Sequence, residues 1–535
     1  MHHGDDTRPE RMRSADGQGN GGSWRRWVAP FVGFAALLWF LIRVLPKPSR
    51  ASYPCQRAAF PLAAGFVVWL AGVAGSFALL RGARRSFARS AHAAGVLCAA
   101  AGIAALWCLF GTNGPELVLG EAHAVNAPIG TGRGIHPGRV VWVHDPGATN
   151  WEGPGNERWW EGDHTDQAAV DRMLSRALCA LTGERGDGAA WDKLFRHHNK
   201  ERGKGDAPYK PGEKIVIKVN FVGLIWREGG VDETTYKLKE WRENYMNTSP
   251  QAIIALMRQL TAAGVAEADL TLCDCLAYLA DEYYAILSAA FPKARYVDHT
   301  GRDGRTAAKD STEPLYWSCR PEGRRQDYVP TCFAEAEYVI NLANLKAHTA
   351  AGVTLCAKNH CGSFVRWPVQ EGYFDMHPSA FAAGEGKYRM LVDLMGHAHL
   401  GGKTVLCLLD GLYSGKHPID RAPSKWRSAP FDGDWTSSLF ASQDPVAIDS
   451  VGLDFLRAEW SDFPHKSGAD DYLHEAALAG DPPSGTFYDP DHATPTTRLR
   501  SLGVHEHWNN AREKRYSRNL GAKEGIELVA AGAER

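Results

Sequence analysis

Residues 249–274 read SPQAIIALMRQLTAAGVAEADLTLCD and hold one complete helix-to-strand unit. Ser249 ahead of Pro250 is a helix start: serine caps the first free N–H groups, and proline needs no cap at the first position. Gly264 ends that helix, and DLTLCD (269–274) is an apolar strand. Working outward, the same alternation repeats. KIVIKVN (214–220), YVINLAN (338–344), KTVLCLLD (403–410) and RVVWVHD (139–145) read as buried strands. DQAAVDRMLSRALCALTG (166–183) places Val170, Met173, Leu174, Ala177, Leu178 and Leu181 at helical spacing before a Gly stop. DEYYAILSAAF (281–291), KYRMLVDLMGHA (387–398) and DPVAIDSVGLDFLRAEW (444–460) are further helices, the last with Pro445 in its first turn. Short, wholly apolar strands alternating with helices predict an α/β fold, a largely parallel open sheet with flanking helices.

Five of these strands run into a short polar side chain: Asp145, Asn220, Asp274, Asn341 with Asn344, and Asp410. Open α/β sheets bind ligands at the carboxyl ends of their strands, so these ends are expected to converge on one edge. Turn and helix-cap roles are the competing explanation for each.

The N-terminal part has a different chemistry. Of 535 residues, the first 115 carry 13 Lys and Arg against 4 Asp and Glu, and residues 116–535 carry 47 against 57. The overall charge of −1 therefore hides a basic segment and an acidic one, and gives no general pull towards nucleic acid. Residues 1–26 read as a polar disordered tail on the cytoplasmic side. Three apolar runs follow, from Val28, at 61–80 and at 92–110; the second has 20 residues without a charge, enough to span ~30 Å of hydrocarbon as a helix. Nine Arg residues lie on the side of the N-terminus and of the loop between the second and third runs, against four Lys and Arg on the other side. That imbalance predicts a multi-pass anchor over 27–112 in the cytoplasmic (inner) membrane, with a cytoplasmic N-terminus and a periplasmic, extracytoplasmic C-terminal domain. Without the third span the large domain would be cytoplasmic. Residues 113–137 read as a linker, and 138–535 as one α/β domain.

Polar chemistry concentrates in NLANLKAHTAAGVTLCAKNHCG (341–362). Lys346, Thr349, Thr354 and Asn359, with Lys218 and Asn220 at the end of an earlier strand, suit a small carboxylate or phosphate. Ammonium groups supply charge, and hydroxyls and amides supply directed hydrogen bonds. Lys358 and His348 are the acid–base candidates. Gly352 and Gly362 would let the backbone approach a ligand closely.

VINLANLKAHTAAGVTLCAKNHCG (339–362) resembles the signature of the domain-of-unknown-function family 362 (DUF362): a strand, Lys-x-His-Thr, Val-Thr, then Lys-Asn before a Gly. KIVIKVN, SQDPVAIDSVG (442–452) and GRVVWVHDPGATNW (138–151) resemble further segments of that family, so the resemblance covers roughly residues 135–460. It implies no defined activity. Some members carry a ferredoxin-like module, but this chain has no C-x₂-C-x₂-C-x₃-C run, so no iron–sulfur cluster is carried over.

Asp145, Asp274 and Asp410 could hold a divalent metal if their strand ends converge, with His144, His348 or His360 nearby. His397 and His399 read as structural. Of the cysteines, Cys319 and Cys332 are the pair best placed for a disulfide outside the cytoplasm. Cys273 and Cys275 flank Asp274 too closely for an ordinary bridge, and Cys407 is a core residue. Three functions stay open: an enzyme acting on a small anion, an anion-binding or sensor module without turnover, and a thiol redox protein using Cys273, Cys275, Cys356 and Cys361.

Overall fold

The computed structural model describes residues 125–535 apart from 156, 226–228, 320–324, 349–350, 366–385, 418–419, 461, 463–465, 493–496 and 533–535, together with scattered residues between 34 and 96. The chain divides into two units, Met1–His123 and Ala124–Arg535. In the first, the described residues are almost all helical. The three apolar runs lie largely outside the described residues; among those described, no helix is long and apolar enough to cross a membrane.

The second unit is built on a ten-stranded sheet. Its strands are β1 (Arg139–His144), β2 (Ile215–Lys218), β3 (Leu270–Cys273), β4 (Arg295–Asp298), β5 (Thr306–Ala307), β6 (Tyr338–His348), β7 (Gly352–Thr354), β8 (Thr404–Gly415), β9 (Ser438–Ser442) and β10 (Glu527–Ala530). They lie in the order β10-β1-β9-β8-β6-β2-β3-β4-β5, with β7 folded back on β6. Along this row only β9 is antiparallel to its neighbours. Sequence reading correctly anticipates the mixed α/β architecture and the largely parallel sheet, but not β9, a five-residue strand between the two halves.

Helices α1 (Gln167–Thr182), α2 (Asp187–Glu201), α3 (Pro250–Ala262) and α4 (Asp281–Ala290) pack on one face; α5 (Cys356–Asn359), α6 (Met390–Gly396), α7 (Pro445–Glu459) and α8 (Lys466–Ala477) pack on the other. The period-2 alternation of strand side chains divides the core. Val140 and Trp142 join one cluster, while Val141 and Val143 join the other. The helix signals are used as expected. Ser249 Oγ accepts from Ala252 N at the start of α3, Asp444 caps Val446 N and Ala447 N at the start of α7, and Gly183 ends α1 in the left-handed region, φ +78°.

The strands run further than the sequence indicates. β6 continues to His348 and β8 to Gly415. Asn341, Asn344 and Asp410 are therefore inside strands, with Asp410 opposite Asn344 in the ladder. Only Asp145, Asn220 and Asp274 follow a strand's last residue. A strand buried on both faces has no polar side marking where it stops, which is why the first polar residue was mistaken for the end.

Candidate ligand-binding site

Lys218 is the last residue of β2, level with Cys273 on one side and Asn341 on the other. Its side chain is buried, and its ammonium meets three acceptors: Asp274 Oδ2 at 3.2 Å, Asn359 Oδ1 at 3.1 Å, and the Val219 carbonyl. Three acceptors match the three N–H donors of a charged lysine. Asp274 is held in turn by Phe221 N (3.1 Å) and Leu276 N (3.2 Å). Gly362 passes so close that a Cβ there would lie 2.4 Å from Asp274 Oδ1 and 2.9 Å from Lys218 Nζ. The close approach foreseen at Gly362 is thus to this ion pair.

Asn359, on α5, ties the centre together. Its amide donates to Lys218 O (3.2 Å) and Asn341 Oδ1 (2.8 Å), and its oxygen accepts from Lys218 and from Asn220 Nδ2 (3.3 Å). Lys346, in the middle of β6's polar end, donates to Asn220 Oδ1 (2.8 Å) and to the Met246 carbonyl. Burial pushes its ammonium well below the ordinary lysine range; Asp410 opposes that shift and Lys358 adds to it. Lys218 and Lys346 are thus both buried but differently paired, one against a carboxylate and two other acceptors, the other against two neutral acceptors.

Thr354 on β7 sits opposite Lys346 in the hairpin ladder. Its hydroxyl is buried and has no hydrogen-bond partner among the described residues. Lys358 is half-buried on α5. His348 is half-buried where β6 ends, its Nδ1 accepting from Ala351 N at 3.0 Å across the hairpin turn, and Thr349 lies outside the described residues. His360 is buried against Ser363 Oγ (3.2 Å); burial, with Lys218 adding to it, holds its imidazolium down to about 3, so the ring is neutral.

The three carboxylates proposed as metal ligands point at separate partners. Asp145 accepts from Gly147 N (3.1 Å) and faces Arg176 at 3.8 Å. Asp274 is paired with Lys218. Asp410 accepts from Ser249 N (2.7 Å) and Leu412 N (3.1 Å). Among the described residues, the one group of three His, Cys, Asp or Glu side chains close enough to share an ion is elsewhere.

Cys319 and Cys332 are not joined in a disulfide. Cys332 Sγ instead lies 3.8 Å from Cys273 Sγ, which is 3.5 Å from Cys275 Sγ. Cys407 is buried in the core as expected, and His397 is buried with Nε2 3.1 Å from the Pro314 carbonyl.

One residue of the site was missed. Asp449, in α7, accepts from Cys356 N (2.8 Å), Ala357 N (2.9 Å) and Tyr472 Oη (3.0 Å). It thereby fixes the start of α5, the short helix carrying Lys358 and Asn359. Its signal was its place in SQDPVAIDSVG, one helical turn beyond the Asp444 cap.

Residues 236–454 match the family model described as Domain of unknown function (DUF362). The chain carries a DUF362 domain. No curated protein matches the chain. The matched stretch contains Asp274, β6, β7, α5, Asp410 and Asp449, whereas Lys218 and Asn220 precede it. Within the DUF362 match, Asp449 of α7 braces the helix that holds the Lys-Asn pair.

Proposed function

We propose that this DUF362-domain protein binds a small anionic ligand, a carboxylate or phosphate, beside Lys346, Thr354 and Lys358. The observation that carries the reading is the Thr354 hydroxyl, buried and without a hydrogen-bond partner among the described residues, next to a buried lysine. Leaving such a group unsatisfied costs ~1–3 kcal/mol, a deficit that a ligand oxygen would remove.

Lys218 and Asp274 neutralise one another and serve to position Asn359. Lys346 has two neutral acceptors, which two N–H groups satisfy, so the buried amine keeps its lone pair for a proton. Lys358, less buried, supplies the charge that draws the anion. An arriving anion would favour protonation of Lys346, which makes it the group best suited to exchange a proton with a ligand. This supports an enzyme acting on an anion; the same geometry without turnover would serve a sensor.

Thermal unfolding of the full-length chain with inorganic phosphate, and separately with citrate, tests the site. Stabilisation by at least one anion is expected. Lys358→Ala should abolish it, and Thr354→Val should weaken binding roughly 2- to 10-fold, the worth of one hydrogen bond. A shift undiminished in Lys358→Ala, or no shift with any small anion, overturns the reading.

Thiol chemistry is a second reading, favoured by the three sulfurs of Cys273, Cys275 and Cys332. A thiol count that does not change on treatment with a mild oxidant removes it. The charge asymmetry and the three apolar runs support membrane anchorage with the DUF362 domain outside the cytoplasm. A domain protected from protease added to spheroplasts contradicts that orientation.

A further inference from the structure

Past the matched residues, α7, α8 and the strand Val504–His505 meet around three buried side chains: Asp470, His505 and His507. Asp470 Oδ1 is 3.0 Å from His507 Nε2 and 3.7 Å from His505 Nε2, and the three atoms all lie within 4.8 Å of one another. Neither His nor Asp470 takes part in the anion site.

The hydrogen bonds fix which nitrogens face that point. Ser450 Oγ donates to the Val446 carbonyl (2.7 Å), so at 2.8 Å from His505 Nδ1 it must accept the Nδ1 proton. His507 Nδ1 lies 2.6 Å from Asp454 Oδ1, a carboxylate that can only accept when ionised. Both imidazoles are therefore held by Nδ1–H, and both Nε2 atoms are turned towards the Asp470 carboxylate, His505 with its lone pair and His507 with a lone pair whenever its ring is neutral. Asp454 is itself fixed by Trp508 N (3.0 Å) and Tyr516 Oη (2.9 Å). Two imidazole nitrogens and an anionic oxygen thus converge on one point, a donor set that suits a divalent cation.

We infer that Asp470, His505 and His507 form a buried site for one divalent transition-metal ion of the zinc class. Tetrahedral zinc with bonds of about 2.0–2.2 Å sets its ligand atoms roughly 3.3–3.5 Å apart, between the 3.0 and 3.7 Å that separate Asp470 Oδ1 from the two imidazole nitrogens. The Asp454–His507 pair is the outer carboxylate that commonly orients a ligating imidazole, and Ser450 does the same for His505. Arg457 donates to Asp470 Oδ2 (2.6 Å), while Oδ1 is the oxygen that faces both imidazoles; the second Arg457 nitrogen, 3.3 Å from His507 Nε2, would have to move aside for the ion. A fourth position remains for water. Such an ion would pin the C-terminal segment to α7 and α8, a structural role separate from the anion site.

The rival occupant is a proton on His507, which would make the group a chain of ion pairs. Metal analysis of full-length protein purified without chelator, followed by Co(II) titration of chelator-treated protein, separates the two. About one equivalent of metal, or uptake of one Co(II) with the strong visible absorption of a tetrahedral site, is expected. His505→Gln and Asp470→Asn should each lose it. A folded wild-type chain that neither carries nor takes up metal overturns the inference, as does unchanged stoichiometry in variants that remain folded. If the variants unfold, the wild-type titration still decides.

Discussion

Replacing Asp274 by Asn tests the centre of the DUF362 domain most directly. The carboxylate is 7% exposed and its lysine fully buried, 3.2 Å away. In the variant Lys218 keeps the Val219 carbonyl and Asn359 Oδ1 but loses the carboxylate that balances its charge. The Phe221 and Leu276 N–H groups would meet an amide able to satisfy them only in part. Breaking a buried ion pair on one side costs ~3–5 kcal/mol, because the remaining charge is left without compensation. Urea unfolding of the full-length wild type and Asp274→Asn should show that loss as a lower midpoint with an unchanged slope. Adding Lys218→Met removes the stranded charge, so the double variant should recover at least ~1 kcal/mol relative to Asp274→Asn alone. A loss under ~1 kcal/mol in the single variant, or no recovery in the double, would refute the view that this pair is a closed, mutually neutralised unit.

Two further outcomes follow from the same geometry. Asp449→Ala strands the Cys356 and Ala357 N–H groups, each worth ~1–3 kcal/mol when buried and unsatisfied, so amide exchange at 356–359 should accelerate; unchanged exchange there would show that α5 holds itself. The His360 ring, with a folded-state value of about 3 against about 6.5 unfolded, adds stability above pH 6.5 that is lost as pH falls, ~2 kcal/mol by pH 5. Asp393, whose burial raises its carboxyl to about 7, acts in the opposite direction: its folded form holds the proton more tightly, so stability falls as pH rises from about 4 to 7. The difference between wild type and His360→Gln isolates the histidine, and a difference that does not vary between pH 7 and 5 removes this assignment.

The proposed anion site was legible residue by residue but not in its connections. Lys218, Asn220, Lys346 and Asn359 do meet, because strands Ile215–Lys218 and Tyr338–His348 are neighbours in the sheet and Asn359 of α5 bonds to both. What spacing could not convey is that Asp274 is spent on Lys218, that Asp410 serves Ser249 N, and that the Thr354 hydroxyl is without a partner among the described residues. Asp449 was overlooked because its partners lie 92 and 93 residues away in sequence.

The sequence by itself determined the alternation of helix and strand, the helix caps at Ser249 and Asp444, and the charge division between the two parts of the chain. These are local: a cap, a glycine stop or a run of apolar residues acts within a turn or two of its position. Tertiary structure alone decided the strand order, the antiparallel β9, the pairing of Lys218 with Asp274 and the gathering of Asp470, His505 and His507. Each depends on segments distant in the chain becoming neighbours. Burial then makes every polar group there choose a partner, and which partners lie within reach is set by sheet order and helix packing.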